Sequence, residues 1–237
     1  MGSVLWDYDF NEYSTGDNAL SDGSWSSIGA GASWRYYWDG SSYHVLYENG
    51  FTGSPVMLVR PASRNVDISC KLKLSGAPED ALHAVHGVVA LCADANNFVA
   101  YEAVKHDGSL PGTSGAENKH VIYVRSSGVE RTILSKPASF NHDQEYIFRM
   151  LVVGKTMTVW VDGVEIGKGE FTDLENTTLT SNRAGVIQYA GFPFWDWVKA
   201  ETVDGFFYKD EGRVYPLTLG GAKIGGVLKT TTVEIKD

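Results

Sequence analysis

The stretch YIFRMLVVGKTMTVWVDGVEI, residues 146–166, reads as three short β-strands joined by two tight turns. The first turn is Gly154-Lys155 and the second is Asp162-Gly163. Gly-X and Asp-Gly pairs tolerate the positive φ angles that two-residue hairpin turns require. The stretch therefore predicts a three-stranded antiparallel meander.

Alternation along the middle strand, Thr156–Val161, supports this prediction. Met157, Val159 and Val161 fall on one face, whereas two threonines and Trp160 fall on the other. This pattern is typical of a half-buried strand. Because the second face also carries a tryptophan, we expect it to be partly covered.

The same alternation recurs along most of the chain, whereas helical periodicity is nearly absent. Short runs bounded by Gly, Asn, Asp, Ser and Pro predict further strands over residues 66–74, 87–93, 98–104, 121–126 and 184–190. Two stretches, 105–119 and 173–183, have the composition of long loops. The fold class expected is all-β.

The meander resembles part of the concanavalin A-like, laminin-G-like jelly-roll superfamily. Three further segments extend the resemblance over residues 5–210: Asp9-Phe10-Asn11, the strand pair joined by Asp94-Ala95-Asn96-Asn97, and the run from Gly185 to Phe207. The resemblance implies a two-sheet antiparallel jelly-roll sandwich, which we assign to residues 1–212. The superfamily includes lectins, glycosidases, adhesion modules and structural parts of virions, so the resemblance leaves the function open.

The remaining residues, 213–237, change in character. The pairs Gly220-Gly221 and Gly225-Gly226 interrupt short runs, and residues 229–236 alternate Thr and Val with charged residues like an edge strand. We expect this C-terminal arm to pair with a neighbouring subunit of an assembly.

The charge balance restricts the partners. With 20 Lys and Arg against 29 Asp and Glu, the formal net charge is −9, and no basic cluster offsets it. Nucleic acid and anionic membrane surfaces are therefore not expected as partners. The first residues do not resemble a signal peptide, and no apolar run is long enough to span a membrane.

Both cysteines, Cys70 and Cys92, lie inside apolar strand-like runs. This placement favours free, buried thiols over a disulfide or a metal knuckle.

A search for catalytic motifs finds none. Glycosidases need two carboxyl groups close together, yet Asp67, Glu102 and Asp196 each lack a second acid at strand alternation. The histidines form no metal-binding helix pair, and His83 and His86 fit a strand end better than a zinc site. We therefore expect no enzyme and no catalytic residues.

No cofactor is expected, although a calcium site is a weaker alternative. Asp94, Asn96 and Asn97 offer the hard oxygen ligands that Ca²⁺ prefers. The same side chains also build Asx turns, which we favour.

Two aromatic clusters are candidates for carbohydrate binding. Five aromatic residues crowd the segment 34–43, and a second cluster covers residues 192–197. Most of these rings should be buried, but exposed ones can stack on sugar rings or form a protein interface. The candidate platform is Tyr37, Trp38, Trp195, Asp196 and Trp197.

These observations predict a non-enzymatic structural or adhesion component of a larger assembly, namely a virion protein made in the host cytoplasm, such as a capsid decoration or tail fibre protein. A carbohydrate-binding, lectin-like module is the first alternative, and a glycoside hydrolase is the second. The glycan, the oligomeric state and the host remain open at this point.

Overall fold

The computed structural model describes residues 3–10, 17–18, 20, 23–29, 34–38, 43–47, 51–74, 83–106, 115–142, 144–191, 193–203, 206–210, 213–217 and 233–234. Strands dominate this part of the chain. In chain order the elements are β1 (Val4–Asp9), β2 (Ser26–Ile28), β3 (Trp34–Trp38), β4 (Tyr43–Tyr47), β5 (Phe51–Pro61), β6 (Val66–Lys73), β7 (His83–Asp94), β8 (Asn97–His106), β9 (Glu117–Ser126), β10 (Val129–Pro137), β11 (Glu145–Val153), β12 (Thr156–Val161), β13 (Val164–Glu170), α1 (Asp173–Thr178), β14 (Arg183–Ala190), β15 (Phe194–Thr202), β16 (Phe206–Asp210), β17 (Arg213–Leu217) and β18 (Val233–Glu234).

Most strands belong to two antiparallel sheets. The eight-stranded sheet has the order β13-β12-β11-β6-β15-β4-β3, and β1 also pairs with β15. The seven-stranded sheet has the order β10-β9-β8-β7-β14-β5-β2. Strands far apart in the sequence are neighbours in both sheets, such as β6 with β15 and β7 with β14. The predicted two-sheet jelly-roll sandwich is confirmed.

The main core lies between the sheets. Val66, Ile68, Cys70 and Leu72 on β6 alternate with more exposed residues and have no exposed surface. They belong to one cluster of buried side chains that draws on both sheets. Alternate residues on adjoining strands place an apolar row on one face, and burying that row against the other sheet drives the two sheets together.

A second apolar cluster lies on the outer face of the seven-stranded sheet. Its members come from that sheet alone, namely Met57, Val59, Val85, Val89, Cys92, Phe98, Ala100, Val104, Val121, Tyr123, Ile187 and Ala190. Because apolar clusters lie on both faces of this sheet, the residues along β8 are buried almost without interruption.

The predicted meander is confirmed as β11, β12 and β13. Val153 pairs with Thr156 across the first turn, and Val161 pairs with Val164 across the second. Gly154, Asp162 and Gly163 have positive φ angles of 58°, 50° and 80°, as such turns require. The Asp162 carboxylate also accepts a hydrogen bond of 2.7 Å from the Ile147 backbone N–H. This bond helps to stabilise a positive φ angle, which is unfavourable for a residue other than glycine.

The two predicted loops are shorter than expected. Residues 173–183 begin with helix α1, because Thr172 and Glu175 form a capping box. The Glu175 backbone N–H donates to the Thr172 hydroxyl, and the Glu175 carboxylate accepts from the Thr172 N–H. Thr-x-x-Glu is a helix start signal that outweighs the loop-like composition. Residues 105–119 also include the end of β8 at His106 and the start of β9 at Glu117, whereas 107–114 lie outside the described residues.

The C-terminal strands form a small sheet of their own, in the order β17-β16-β18. The predicted domain boundary at residue 212 falls between β16 and β17, which pair with each other as a hairpin. Most of the predicted arm lies outside the described residues.

Cys70 and Cys92 are free and buried, as predicted. Within the described part of the chain, no helix has both the length and the apolar character needed to cross a membrane.

Candidate functional site

The outer face of the seven-stranded sheet carries a groove of about 350 Å³. We define the groove by its lining residues, Pro55, Val85, Glu102, Val104, His106, Glu117, Lys119, Val121, Tyr123, Arg125, Glu130, Thr132 and Tyr189. They come from β5, β7, β8, β9, β10 and β14. Three valines and a proline supply apolar lining, and polar side chains with two tyrosines complete it.

Strand alternation on β8 places the side chain of Glu102 on this face. Tyr101 and Ala103 point into the core between the sheets. Ala100 and Val104 point outward, and Glu102 shares their face. A glutamate therefore occupies one position in an outward row that is otherwise largely apolar.

Glu102 is buried although it lines the groove, with only 6% of its surface exposed. Its Oε1 atom has no hydrogen-bond partner among the described residues. Burial, and after it the negative charge of Glu130, raise the pKa of Glu102 to about 8. A hydrogen bond with Tyr123 and the positive charge of Arg125 act in the opposite direction. At neutral pH the carboxyl group is therefore mainly protonated.

Most ionised side chains of the groove contact one another, although Arg125 Nε has no hydrogen-bond partner among the described residues. Glu117 Oε2 lies 2.6 Å from Lys119 Nζ and 3.3 Å from His106 Nε2. The hydrogen bond with Lys119 lowers the pKa of Glu117. Arg125 lies 3.9 Å from Glu130 and donates to the Ala95 carbonyl oxygen at 3.2 Å. The groove thus combines a buried, mainly neutral acid with two acidic and two basic side chains of opposite charge.

The sequence does not reveal this site, because its acidic residues lie on different strands. Glu102, Glu117 and Glu130 lie on three consecutive strands, and only the pairing of β8 with β9 and of β9 with β10 gathers them on one face. One local signal was present, namely a glutamate in the middle of the apolar run FVAYEAV, residues 98–104. A buried ionisable residue of this kind is often functional.

The predicted carbohydrate platform lies elsewhere, on the eight-stranded sheet. Trp195 cannot belong to this platform, because its side chain has no exposed surface. The centroid of its ring lies 5.6 Å from that of the Trp34 ring in the core. A register shift in β15 between Trp195 and Trp197 places the residues that follow Trp195 on the outer face of the sheet. Asp196 faces outward and accepts a 3.0 Å hydrogen bond from Lys71.

Trp197 is half-buried and pairs with Lys71 on the same outer face. Tyr37 and Trp38 belong to β3 of the same sheet, but their side chains lie outside the described residues. Asp196 and Trp197 therefore lie on the opposite side of the sandwich from the groove.

The calcium candidates form a turn between β7 and β8. The Asp94 carboxylate accepts hydrogen bonds from the Asn96 backbone N–H at 2.7 Å and from Asn97 Nδ2 at 3.0 Å. Asn97 Oδ1 accepts from the Ser127 N–H at 2.9 Å. This is the arrangement of an Asx turn. Among the described residues no cluster of three or more His, Cys, Asp or Glu side chains is arranged to hold a metal.

His86 lies in the core rather than at a zinc site. Its side chain is completely buried, and burial lowers its pKa to about 3. The His83 side chain lies outside the described residues.

Comparisons with known proteins give matches in structure only. No protein family model matches the sequence, and no curated protein matches it. The structure is similar to the carbohydrate-binding module CBM66 from Bacillus subtilis, with a TM-score of 0.57, 8% identity, and coverage of 76% of this chain and 96% of that one. It is also similar to peanut lectin, with a TM-score of 0.55, 13% identity, and coverage of 83% and 97%.

A third similar structure is the GH16 protein of the Bacteroides ovatus mixed-linkage glucan PUL, determined with a bound product. The TM-score is 0.55 at 12% identity, and the match covers 83% of this chain and all of that one. Sequence identities this low show a shared fold and do not show a shared function. The chain therefore has the concanavalin A-like jelly-roll fold.

Proposed function

We propose that this protein is a non-catalytic carbohydrate-binding jelly roll whose ligand lies in the groove of the seven-stranded sheet. The observation that carries the proposal is the groove itself, in which the buried Glu102 lies among valines, two tyrosines and side chains of both charges.

The chemistry of the groove suits a sugar. Saccharides present apolar C–H faces and many hydroxyl groups, so they need flat apolar contacts combined with a few oriented polar groups. Val85, Val104 and Val121 supply apolar surface, and Tyr123 and Tyr189 supply aromatic rings with hydroxyl groups. The similar structures named above include a carbohydrate-binding module and a lectin, which supports this choice of ligand.

Glycoside hydrolysis is the second candidate function, and one observation favours it. Glu102 is protonated at neutral pH, as a general acid must be, and the carboxylate of Glu130 is close enough to raise its pKa. Hydrolases of this type need an acid and a second carboxylate flanking the scissile bond. The salt bridge from Glu130 to Arg125 argues against a free nucleophile or base, so we place binding first.

A structural role in an assembly, and in a virion in particular, stays a prediction. Its basis is the composition of residues 213–237, most of which lie outside the described residues. Such a role is compatible with carbohydrate binding, because an adhesion component also needs a binding face. The mass of the full chain in solution, compared with that of a chain ending at Gly212, tests self-association through this segment.

The test of carbohydrate binding is a glycan array followed by calorimetric titration of the best soluble ligand. Replacing Tyr189 in the groove with alanine should weaken binding about tenfold, because an aromatic contact is lost. The matched control is Trp197→Ala on the opposite sheet, which should bind as the unmodified protein does.

The reverse pattern would return the site to the platform predicted from the sequence. Product analysis after incubation with the bound oligosaccharide separates binding from hydrolysis. Hydrolysis that disappears in Glu102→Gln and in Glu130→Gln would establish the second candidate function in place of the first.

A further inference from the structure

We propose that the outer edge of β13 is a latent pairing surface for a second copy of this chain, and that side chains of β10 keep this edge closed. The inference is independent of the groove and of the function proposed for it. It concerns the side of the sandwich where the last strands of the two sheets meet.

The strands β13 and β10 each end a sheet. β13 is the terminal strand of the eight-stranded sheet and pairs with β12, whereas β10 is the terminal strand of the seven-stranded sheet and pairs with β9. An edge strand offers unpaired N–H and C=O groups to any strand that arrives beside it. β10 and β13 lie next to each other, yet no backbone ladder joins them in the described part of the chain. Side chains span the gap between the two edges instead.

Two basic side chains of β10 bind carbonyl groups of β13. Lys136 Nζ donates to the Ile166 carbonyl oxygen at 2.6 Å, and Arg131 Nη2 donates to the Glu170 carbonyl oxygen at 3.1 Å. The Glu175 carboxylate holds Arg131 in place, because it accepts from Nε at 2.7 Å and from Nη2 at 2.6 Å. A strand that arrives at β13 would have to compete with both basic side chains.

Two glycines of β13 allow β10 to approach closely. A Cβ atom at Gly169 would lie 2.1 Å from Ile133 Cγ2, and a Cβ atom at Gly167 would lie 2.8 Å from Leu134 Cδ2. The register of β10 shifts between Thr132 and Leu134, at the same place. Both apolar side chains are partly buried and pack against the main core. A larger residue at position 169 would therefore push β10 away from the edge of β13.

The partner that fits a released β13 edge is a second copy of the same chain. Strand addition depends on backbone groups rather than on a particular sequence. A second copy brings an edge of the same length, and two copies can pair through the same surface, as in a two-fold symmetric dimer. The contacts of Arg131 and Lys136 and the close fit at the two glycines should therefore oppose self-association at this edge.

The experiment measures the mass of the full chain by sedimentation velocity, from low micromolar to near-millimolar concentration. Two altered chains release the edge in different ways. Gly169→Val pushes β10 away, and the double variant Arg131→Met, Lys136→Met removes the polar contacts. Each should lower the dissociation constant of the dimer about tenfold or more relative to the unmodified chain. Hydrogen exchange should show protection of residues 164–170 that increases with protein concentration.

Each variant has a matched control. Gly115→Val adds the same side chain at a glycine where a Cβ atom would meet nothing within 4 Å. The double variant Lys73→Met, Lys199→Met removes two positive charges from β6 and β15, which have paired strands on both sides. Both controls should have the mass of the unmodified chain at every concentration.

The double variant of Arg131 and Lys136 keeps the inference testable if Gly169→Val does not fold, because it removes polar contacts from side chains that are partly or largely exposed. A folded double variant with the mass of the unmodified chain at every concentration would overturn the inference. So would a dimer whose protection lies outside residues 164–170, or equal association of the control that lacks Lys73 and Lys199. Concentration-dependent protection confined to residues 164–170 would support it, and none of these results depends on carbohydrate binding.

Discussion

The carboxyl groups of Glu102 on β8 and Glu130 on β10 lie on the same face of the seven-stranded sheet, and the charge of Glu130 adds to the effect of burial in raising the pKa of Glu102. The two residues are separated by 27 others in the sequence and by the single strand β9 in the sheet. This relationship underlies the first prediction.

The contribution of Glu102 to stability should fall as pH rises from 5 to 8, whereas the contribution of His86 changes in the opposite direction below pH 6.5. The pKa of Glu102 is about 8 in the fold against 4.5 for a free side chain. In this interval the unfolded chain has released the proton and the folded chain retains it, so raising the pH favours unfolding. The slope should approach about 1.4 kcal/mol per pH unit at most.

Urea unfolding of the unmodified protein and of Glu102→Gln at pH 5, 6.5 and 8 measures this effect. The glutamine variant should gain relative stability steadily from pH 5 to pH 8. A stability difference between the two proteins that is constant over these pH values would contradict the assignment of a neutral Glu102.

His86 should make the protein less stable in acid. Burial lowers the pKa of His86 to about 3, whereas a free histidine titrates near 6.5. Between these values the unfolded chain binds a proton that the folded chain does not, so stability is lost as pH falls below 6.5. Urea unfolding at pH 7 and pH 4.5 should show a smaller acid loss for His86→Leu than for the unmodified protein.

Gln188→Met is the control for this measurement. Gln188 is buried, pairs with His86 across β14 and β7, and has no titratable group. It should therefore keep the acid slope of the unmodified protein, whatever its effect on stability at pH 7. An identical slope in His86→Leu would show that other groups control the acid transition.

Arg60 should stabilise the edge at which β1 meets β5. Its guanidinium group lies over the rings of Trp6, Tyr8 and Trp25 at 5.8, 5.0 and 5.3 Å from their centroids. Cation–π contacts of this kind contribute about 0.5–2 kcal/mol. Arg60→Met keeps much of the apolar stem and removes the charge, so it should lower the free energy of unfolding by about 1–2 kcal/mol.

Urea unfolding at pH 7 provides the measurement for Arg60. Lys168→Met is the matched control, because the Lys168 side chain is 63% exposed and pairs only loosely with Glu165 at 3.8 Å. It should change stability by less than about 0.5 kcal/mol. Equal effects of the two substitutions would show that the aromatic contacts of Arg60 contribute nothing measurable.

Neither cysteine should react with a thiol reagent while the chain is folded. Burial raises the pKa of Cys92 to about 12 and that of Cys70 still higher, so the thiolate required for reaction is scarce. With Ellman's reagent at pH 8, the native protein should release almost no thionitrobenzoate, and the protein in guanidinium chloride should release two equivalents per chain. Rapid reaction of one thiol in the native protein would show that its strand opens locally.

The strands were predictable from the sequence because their cause is local. The buried face of β6 is indicated by the alternation of four apolar residues, Val66, Ile68, Cys70 and Leu72, with polar ones. The turns of the meander are indicated by Gly154 and by Asp162-Gly163. The helix at Asp173–Thr178 also has a local signal, the capping box of Thr172 and Glu175. The surrounding Thr and Asn residues, however, are typical of a loop.

The aromatic residues were harder to place, because a ring in a strand can face the core or the solvent. Trp195 and Trp197 are two positions apart, yet a register shift in β15 sends the first into the core and leaves the second on the outer face. Alternation alone would have put both on one side. Such an irregularity depends on the pairing of β15 with β6, which is not visible in either strand by itself.

The sequence by itself determined the all-β class, most strand positions, the tight turns, the burial of both cysteines and the net negative charge, because each depends on neighbouring residues or on composition. Only the tertiary structure decided where a site lies. Glu102, Glu117 and Glu130 become neighbours through pairing between strands, and Glu102 retains its proton only because folding removes water from it and brings Glu130 near.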